Sequence, residues 1–259
     1  MTASLAALAG LSVMIAALTC VWIVSVRRRD ASIVDICWGP GFALLAWVYC
    51  ALFNAFRPRA IVVAVLVTVW AVRFAAHLLR RHLGEDPRYR SMRDAHGRAF
   101  WWRSLFTVFW LQAVILWFVA LPVLVATGAT EPAGVTATDI AGVLLFAVGF
   151  AFEAIGDSQL EHFKAVPANR GTVLNSGLWR YTRHPNYFGD AVLWWGVFLI
   201  ACSAPGGWLT VASPLLMTVL LLRVSGVTLL EQSLTASKPG YAEYMRRTSA
   251  FIPWFPHAD

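Results

Sequence analysis

The chain has 259 residues, of which 59% are hydrophobic and only 14% charged, and its mean hydropathy is +0.63. Soluble globular domains carry about a quarter charged residues, so the composition excludes an ordinary soluble domain. The formal net charge of +7 does not mark a nucleic-acid binder, because the basic residues flank apolar stretches and build no phosphate-binding face.

A helix crossing a hydrocarbon core about 30 Å thick needs about 20 apolar residues. Seven segments meet or approach that length, at roughly 4–26, 33–53, 60–79, 104–127, 138–156, 186–203 and 207–224. No Lys or Arg precedes the first, its apolar run is too long for a signal peptide, and Arg27, Arg28 and Arg29 follow it as a stop. It reads as a retained first helix. The cysteines Cys20, Cys37, Cys50 and Cys202 all lie inside apolar runs, with no CxxC or Cys/His spacing. They read as small buried hydrophobes, and neither a disulfide framework nor a metal site is implied.

Lys and Arg are distributed to one side of this pattern. Arg80, Arg81, Arg88, Arg90, Arg93, Arg98 and Arg103 follow the third segment, and Lys164, Arg170, Arg180 and Arg183 follow the fifth. Lys238, Arg246 and Arg247 close the chain, whereas the opposite side holds only Arg57 and Arg59. The positive-inside rule then puts the N-terminus outside and the C-terminus in the cytoplasm. The expected class is an all-α integral membrane protein of about seven transmembrane helices, forming a single membrane domain over 1–259. The long polar connections, 80–103, 157–185 and 225–259, all fall on the cytoplasmic side, where chemistry is expected. No internal repeat supports a secondary transporter.

Three polar clusters interrupt the apolar background. In the first, Glu153, Asp157 and Lys164 recur at three- to four-residue spacing near the end of the fifth helix. They form either a helix end with paired charges or a polar wall of a site. The second is Gly177-Leu178-Trp179-Arg180-Tyr181-Thr182-Arg183-His184-Pro185-Asn186-Tyr187-Phe188-Gly189-Asp190. Pro185 favours a helix start with Asn186 in its first turn, and a helix N-terminus suits a phosphate or a ribose hydroxyl. Arg180 and Arg183 offer bidentate phosphate contacts. Asp190, one turn into an apolar helix, is costly unless it holds a hydroxyl or a cation. Trp179 and Tyr181 alone read equally well as an interfacial aromatic belt. The third cluster is Glu231 followed by Tyr241-Ala242-Glu243-Tyr244.

The run from Arg183 to Asp190, with Glu231, Tyr241 and Tyr244, resembles a superfamily of membrane enzymes. It includes steroid 5-alpha-reductases, sterol C14 and delta-7 reductases and isoprenylcysteine carboxyl methyltransferases. Asp35-Ile36-Cys37-Trp38-Gly39, Gly84-Glu85-Asp86-Pro87-Arg88-Tyr89 and Gly156-Asp157-Ser158-Gln159-Leu160 are similar to the bacterial branch of the steroid 5-alpha-reductase family (3-oxo-5-alpha-steroid 4-dehydrogenase-like). The resemblance implies an NADPH site on Asp157, Lys164, Asn169, Arg170, Arg180, His184, Asn186, Tyr187, Asp190, Glu231, Tyr241 and Tyr244. Arg183 adds positive charge nearby. It also implies a substrate chamber in the first four helices, over 4–127, and a cofactor site over 138–259. S-adenosylmethionine, the methyltransferase cofactor, is cationic and does not call for so many basic groups.

The implied reaction is reduction of the carbon–carbon double bond of an enone lipid, such as a 3-oxo-delta-4 steroid, with the ketone polarised by an acid. In the animal enzymes a glutamate in the second helix and a tyrosine in the third hold the ketone. Asp35 lies in the corresponding stretch here; it is either that acid or a boundary charge paired with Arg73 or Arg29. The tyrosine position falls on Trp70, with Tyr49 and His77 as substitutes. The alternative is a membrane methyltransferase acting on a lipid or prenylated thiol. A monomer in a bacterial inner membrane, its cofactor site facing the cytoplasm and with no nucleic-acid partner, completes the expectation.

Overall fold

The computed structural model describes residues 1–224, 227, 231, 234, 235 and 237–257; among them the regular structure is helical, with no strand. Four helical runs are long and apolar enough to cross a membrane: Ala3–Arg28, Pro58–Arg81, Pro87–Val119 and Ala137–Ala165. Large apolar side chains face outward along them, and Leu8, Val69, Val72, Leu111 and Leu144 are each more than half exposed. Such a surface is a liability in water and the natural exterior in lipid. The chain is a membrane protein on that ground.

The helices fall into two units, one of residues 1–139 and 200–213, the other of 140–199 and 214–259. The first unit holds α1 (Ala3–Arg28), α2 (Ile33–Ile36), α3 (Trp38–Leu52), α4 (Pro58–Arg81), α5 (Pro87–His96), α6 (100–119) and α7 (Leu121–Gly128). The segment expected as one helix over 33–53 is broken at Cys37. Helix α3 restarts with Pro40 in its first turn, where the missing N–H costs no intrahelical bond. The segment expected over 104–127 breaks in the same way at Ala120, ahead of Pro122.

The run Pro87–Val119 is not one rod. Tyr89 and Gln112 are 23 positions apart, about 35 Å along a straight helix, yet their side chains meet at 3.0 Å. The chain reverses at Gly97, whose φ of 52° and ψ of −134° suit glycine. The membrane-crossing part is therefore α6, which contains a π-helical turn at Leu105–Trp110. Helix α1 lies antiparallel against α6, tied by indole N–H groups. Trp22 donates to Trp101 O (2.8 Å), Trp110 to Thr19 Oγ1 (3.0 Å) and Trp117 to Ala7 O (2.8 Å). Helix α3 packs closely on α4, where Gly39 sits against the backbone of Ala71.

In the second unit, helix α8 (Ala137–Ala165, counted from Ile140 on) packs on α9 (Pro185–Ala201). Gly149 lies against Leu193 N and Gly189 O, and Gly196 against Phe146 N and Gly142 O, with no room for a Cβ. Small residues at this spacing let apolar helices approach backbone to backbone, as lipid-embedded packing favours. Helix α8 runs well past the expected end at 156. Helix α10 (Ala212–Val219) continues as a π-helical turn, Leu220–Val224, and α11 spans Tyr241–Arg247.

Candidate functional site

Two polar constellations stand out, one within each unit. In the second unit, the 3-10 turn Gly177–Arg180 is fastened to α8. Trp179 Nε1 donates to Gly156 O and Leu178 N to Gln159 Oε1, both at 3.0 Å. The C-terminal segment straps across the residues that follow. Arg183 N donates to Ser249 O (2.9 Å), Thr182 Oγ1 to Phe251 O (2.8 Å) and Trp254 N to Tyr181 O (2.9 Å).

Between these layers, Arg183 and His184 are buried and converge on Glu231. Arg183 Nε reaches Glu231 Oε1 at 2.7 Å and His184 Nε2 reaches the same oxygen at 3.1 Å. The other face of Arg183 donates to Met245 O (2.9 Å) and Thr248 O, and Tyr244 donates its hydroxyl to Trp179 O. Burial pushes the Glu231 carboxyl up, but the hydrogen bonds from His184 and Arg183 and their charge outweigh it and hold it at about 2. Burial and the Glu231 charge push the Tyr241 phenol up to about 12.

The remaining expected cofactor residues fall into two further places. Asn186 Nδ2 donates to Asp157 Oδ1 at 3.0 Å, joining the start of α9 to α8, and Asp190 is buried one turn on. Tyr187 stacks on His184, ring centroids 5.5 Å apart and planes 3° from parallel. Asn169 Nδ2 donates to Phe163 O and steadies the turn after α8, whose last turn carries Lys164. Arg170, Arg180 and Tyr244 line a cleft of about 1080 Å³, together with Arg247, Thr248 and His257. The expected residues thus fall into cleft residues (Arg170, Arg180, Tyr244), the buried Arg183–His184–Glu231 cluster, the Asp157–Asn186 pair, and Lys164 and Asn169 at the end of α8. Arg247 and His257 were missed by sequence reasoning; the only signal was the Arg pair after Tyr244, which topology already explained.

The first unit brings the Asp35 and Gly84–Tyr89 motifs together. Glu85 accepts Ala31 N at 2.9 Å and a two-pronged pair from Arg93 at 2.7 and 3.0 Å. Those bonds outweigh burial and lower its pKa. Asp30 bridges His82 (2.7 Å) and Ser32 (2.6 Å), and Ser32 Oγ accepts Asp86 N (3.1 Å). Asp86 caps α5 through Arg88 N at 2.9 Å. This clamp fixes the start of α5, and with it Tyr89, whose hydroxyl donates to Asp35 Oδ1 at 2.7 Å. Arg88 reaches Asp35 Oδ2 at 3.1 Å. Gln112 Nε2 donates to the Tyr89 oxygen at 3.0 Å, and Trp38 Nε1 donates to Gln112 Oε1.

Asp35 is thus partnered by Tyr89 and Arg88. The other expected catalytic residues lie apart from that pair. Trp70 is buried, stacked on Phe74 (5.2 Å) and edge-on to Phe42 (5.7 Å). Tyr49 is buried against Gly10, and His77 Nε2 sits 3.1 Å from Arg81. Tyr89 and Gln112 were missed; the Tyr89 signal was present only as part of the Gly84–Tyr89 motif.

A helical membrane protein with two such constellations is the class that fold and geometry define. The chain belongs to the family described as "Protein of unknown function (DUF1295)", whose model matches residues 21–248, a steroid 5-alpha-reductase-like superfamily member. An uncharacterized protein of Schizosaccharomyces pombe is 27% identical over 264 aligned residues, covering 90% of this chain and 75% of that one. No solved structure matches.

Proposed function

We propose that the protein is an NADPH-dependent membrane reductase of the bacterial steroid 5-alpha-reductase branch, acting on the double bond of an enone lipid such as a 3-oxo-delta-4 steroid. The observation that carries this reading is the buried Tyr89 phenol held between Asp35 and Gln112. A phenol backed by a carboxyl group is a stronger donor to a carbonyl oxygen than the indole expected at Trp70. Tyr89 polarises the ketone and passes a proton to its oxygen as negative charge builds there. Asp35 holds the phenol in place and returns the proton, while Arg93–Glu85 and Asp30–His82 hold the backbone around it.

Within the second unit, a cleft of suitable size and charge supports the cofactor reading. The cleft is at the upper end of ligand-pocket volumes, which run to about 1,000 Å³, and Arg170, Arg180 and Arg247 place cationic groups along it. Outside the cleft lining, His184 Nδ1 is buried without a hydrogen-bond partner among the described residues and keeps one hydrogen-bonding position open. Arg170 and Arg180 would hold phosphate oxygens, and bound NADPH supplies the hydride for the beta carbon. This reading includes seven membrane helices, the N-terminus outside, the C-terminus and cofactor site on the cytoplasmic face of a bacterial inner membrane, and a monomer.

The test is a thermal-shift titration of detergent-purified protein with NADPH, NADH and S-adenosylmethionine, followed by enone turnover. A midpoint shift with NADPH and enone consumption that falls about 10²- to 10⁴-fold in Tyr89→Phe are expected. A shift with S-adenosylmethionine alone would overturn the reductase and leave a lipid methyltransferase.

A further inference from the structure

The geometry points to a directional hydrogen-bond relay, Trp38–Gln112–Tyr89–Asp35, which lets the site accept a ketone only after Asp35 takes up a proton, and an alcohol without one. This deepens the reductase reading and rests on it for the identity of the ligand. An indole N–H can only donate, so the Gln112 atom facing it is the carbonyl oxygen and the amide N–H₂ is turned to Tyr89. One acceptor position of the Tyr89 oxygen is thereby filled.

An ionised Asp35 can only accept. With 2.7 Å between Asp35 Oδ1 and Tyr89, the single proton between them belongs to the phenol. Asp35 Oδ2 already receives Arg88 NH2. In this state Tyr89 presents a ligand with a lone pair and no proton. A ketone, itself only an acceptor, finds no partner, whereas a hydroxyl group can donate.

Proton uptake on Oδ1 reverses the bond. Asp35 then donates to Tyr89, and the Tyr89 oxygen has both acceptor positions filled, by Gln112 and by Asp35. Its own O–H is left over and turns to the ligand, where it meets a carbonyl oxygen. One proton enters from solvent and none is lost, so each ketone that binds to protein with Asp35 ionised carries one proton with it. The charged and titratable groups facing Asp35 are Arg88, Asp86 and the Cys37 thiol, with Tyr89 itself. None of these replaces the Gln112 donor. Trp38 and Gln112 act through Tyr89 and are positioning residues.

Two measurements test the relay. The first is ligand-free NMR of protein carrying [13Cζ]tyrosine, with six tyrosines to resolve and the Tyr89 signal assigned by Tyr89→Phe. That signal is expected to move with pH as Asp35 titrates and to stop moving in Asp35→Asn. A Tyr89 signal that ignores pH in the wild type overturns the relay, whatever the substrate proves to be. The second is calorimetric binding of a saturated 3-keto steroid and its 3-hydroxy analogue in buffers of different ionisation enthalpy. At a pH above the Tyr89 NMR transition, the ketone is expected to take up close to one proton and the alcohol none. Gln112→Glu, which replaces the donor by an acceptor, is expected to weaken the ketone at least tenfold and spare the alcohol. Ketone binding without proton uptake overturns the relay. A normal NMR response with neither steroid bound upholds the relay and rejects the steroid as ligand.

Discussion

Glu231 offers the sharpest test of the second unit. Its carboxyl ionises at about 2 instead of its ordinary 4.5, because Arg183 and His184 both donate to it. A depressed carboxyl stabilises the fold above its unfolded pKa and loses that contribution as pH falls through the folded one. The window here runs from about pH 5 down to about pH 2, and the contribution above it is about 3 kcal/mol. Glu231→Gln keeps the shape and removes the charge, leaving the buried Arg183 guanidinium without a counter-ion, which costs about 3–5 kcal/mol. At about 2–4 °C per kcal/mol for a chain of this size, the thermal midpoint at pH 7 is expected to fall by about 6–20 °C. Differential scanning fluorimetry in detergent at matched scan rates reads this directly. The gap between wild type and variant should then narrow as pH drops from 5 towards 2, since protonation removes the same charge from the wild type. Equal midpoints at pH 7, or a gap that stays constant down to pH 2.5, would refute the assignment of Glu231 as the counter-ion that holds this core.

Two further outcomes are expected. The double variant Arg170→Ala, Arg180→Ala should weaken NADPH about 10- to 100-fold, from loss of charge-assisted hydrogen bonds worth about 1.5–3 kcal/mol, with the ligand-free midpoint unchanged; a titration with undiminished NADPH affinity would reject the cleft as the phosphate site. Gly149→Val places a side chain where Leu193 N and Gly189 O already stand and should cost at least about 1–3 kcal/mol, seen as lower yield and midpoint; a wild-type midpoint would reject the close α8–α9 packing.

The membrane-spanning character was legible because it depends only on the length and hydropathy of a run. The interruptions were less so. Cys37 and Ala120 break helices that hydropathy reads as continuous, and the proline beside each becomes informative only once the helix start is known. The reversal at Gly97 was invisible, since helical sequence lies on both sides of it. That reversal decides the site in the first unit, because it returns Tyr89 to Gln112. The resemblance put the expected ketone contact at Trp70, with Tyr49 and His77 as substitutes. The actual partner of Asp35 is 54 positions away, in a polar stretch that topology had already accounted for. In the second unit the density of polar residues was legible, but not which of them face inward. Arg180 and Arg183 look alike in the sequence; one lines the cleft, and the other is committed to Glu231 and two backbone carbonyls.

That contrast suggests how a working group differs from a structural one in such a protein. Burying a polar side chain is costly unless its hydrogen bonds are met, and the cost is higher where lipid surrounds the fold. Arg183 meets that demand inside the protein: a carboxylate on Nε, two carbonyls on NH1 and the Tyr241 phenol commit most of its five donors. Tyr89 is different. Its partners fix the direction of its proton, but a phenol oxygen with one donor and two acceptor positions still has one position open after Asp35 and Gln112 are counted. The same count leaves His184 Nδ1 open beside a satisfied Nε2. Charge density alone would rank Arg183 above both. Unspent hydrogen-bond capacity on a buried, rigidly held side chain ranks them the other way, and it selects Tyr89 in one unit and His184 in the other as the groups to perturb first.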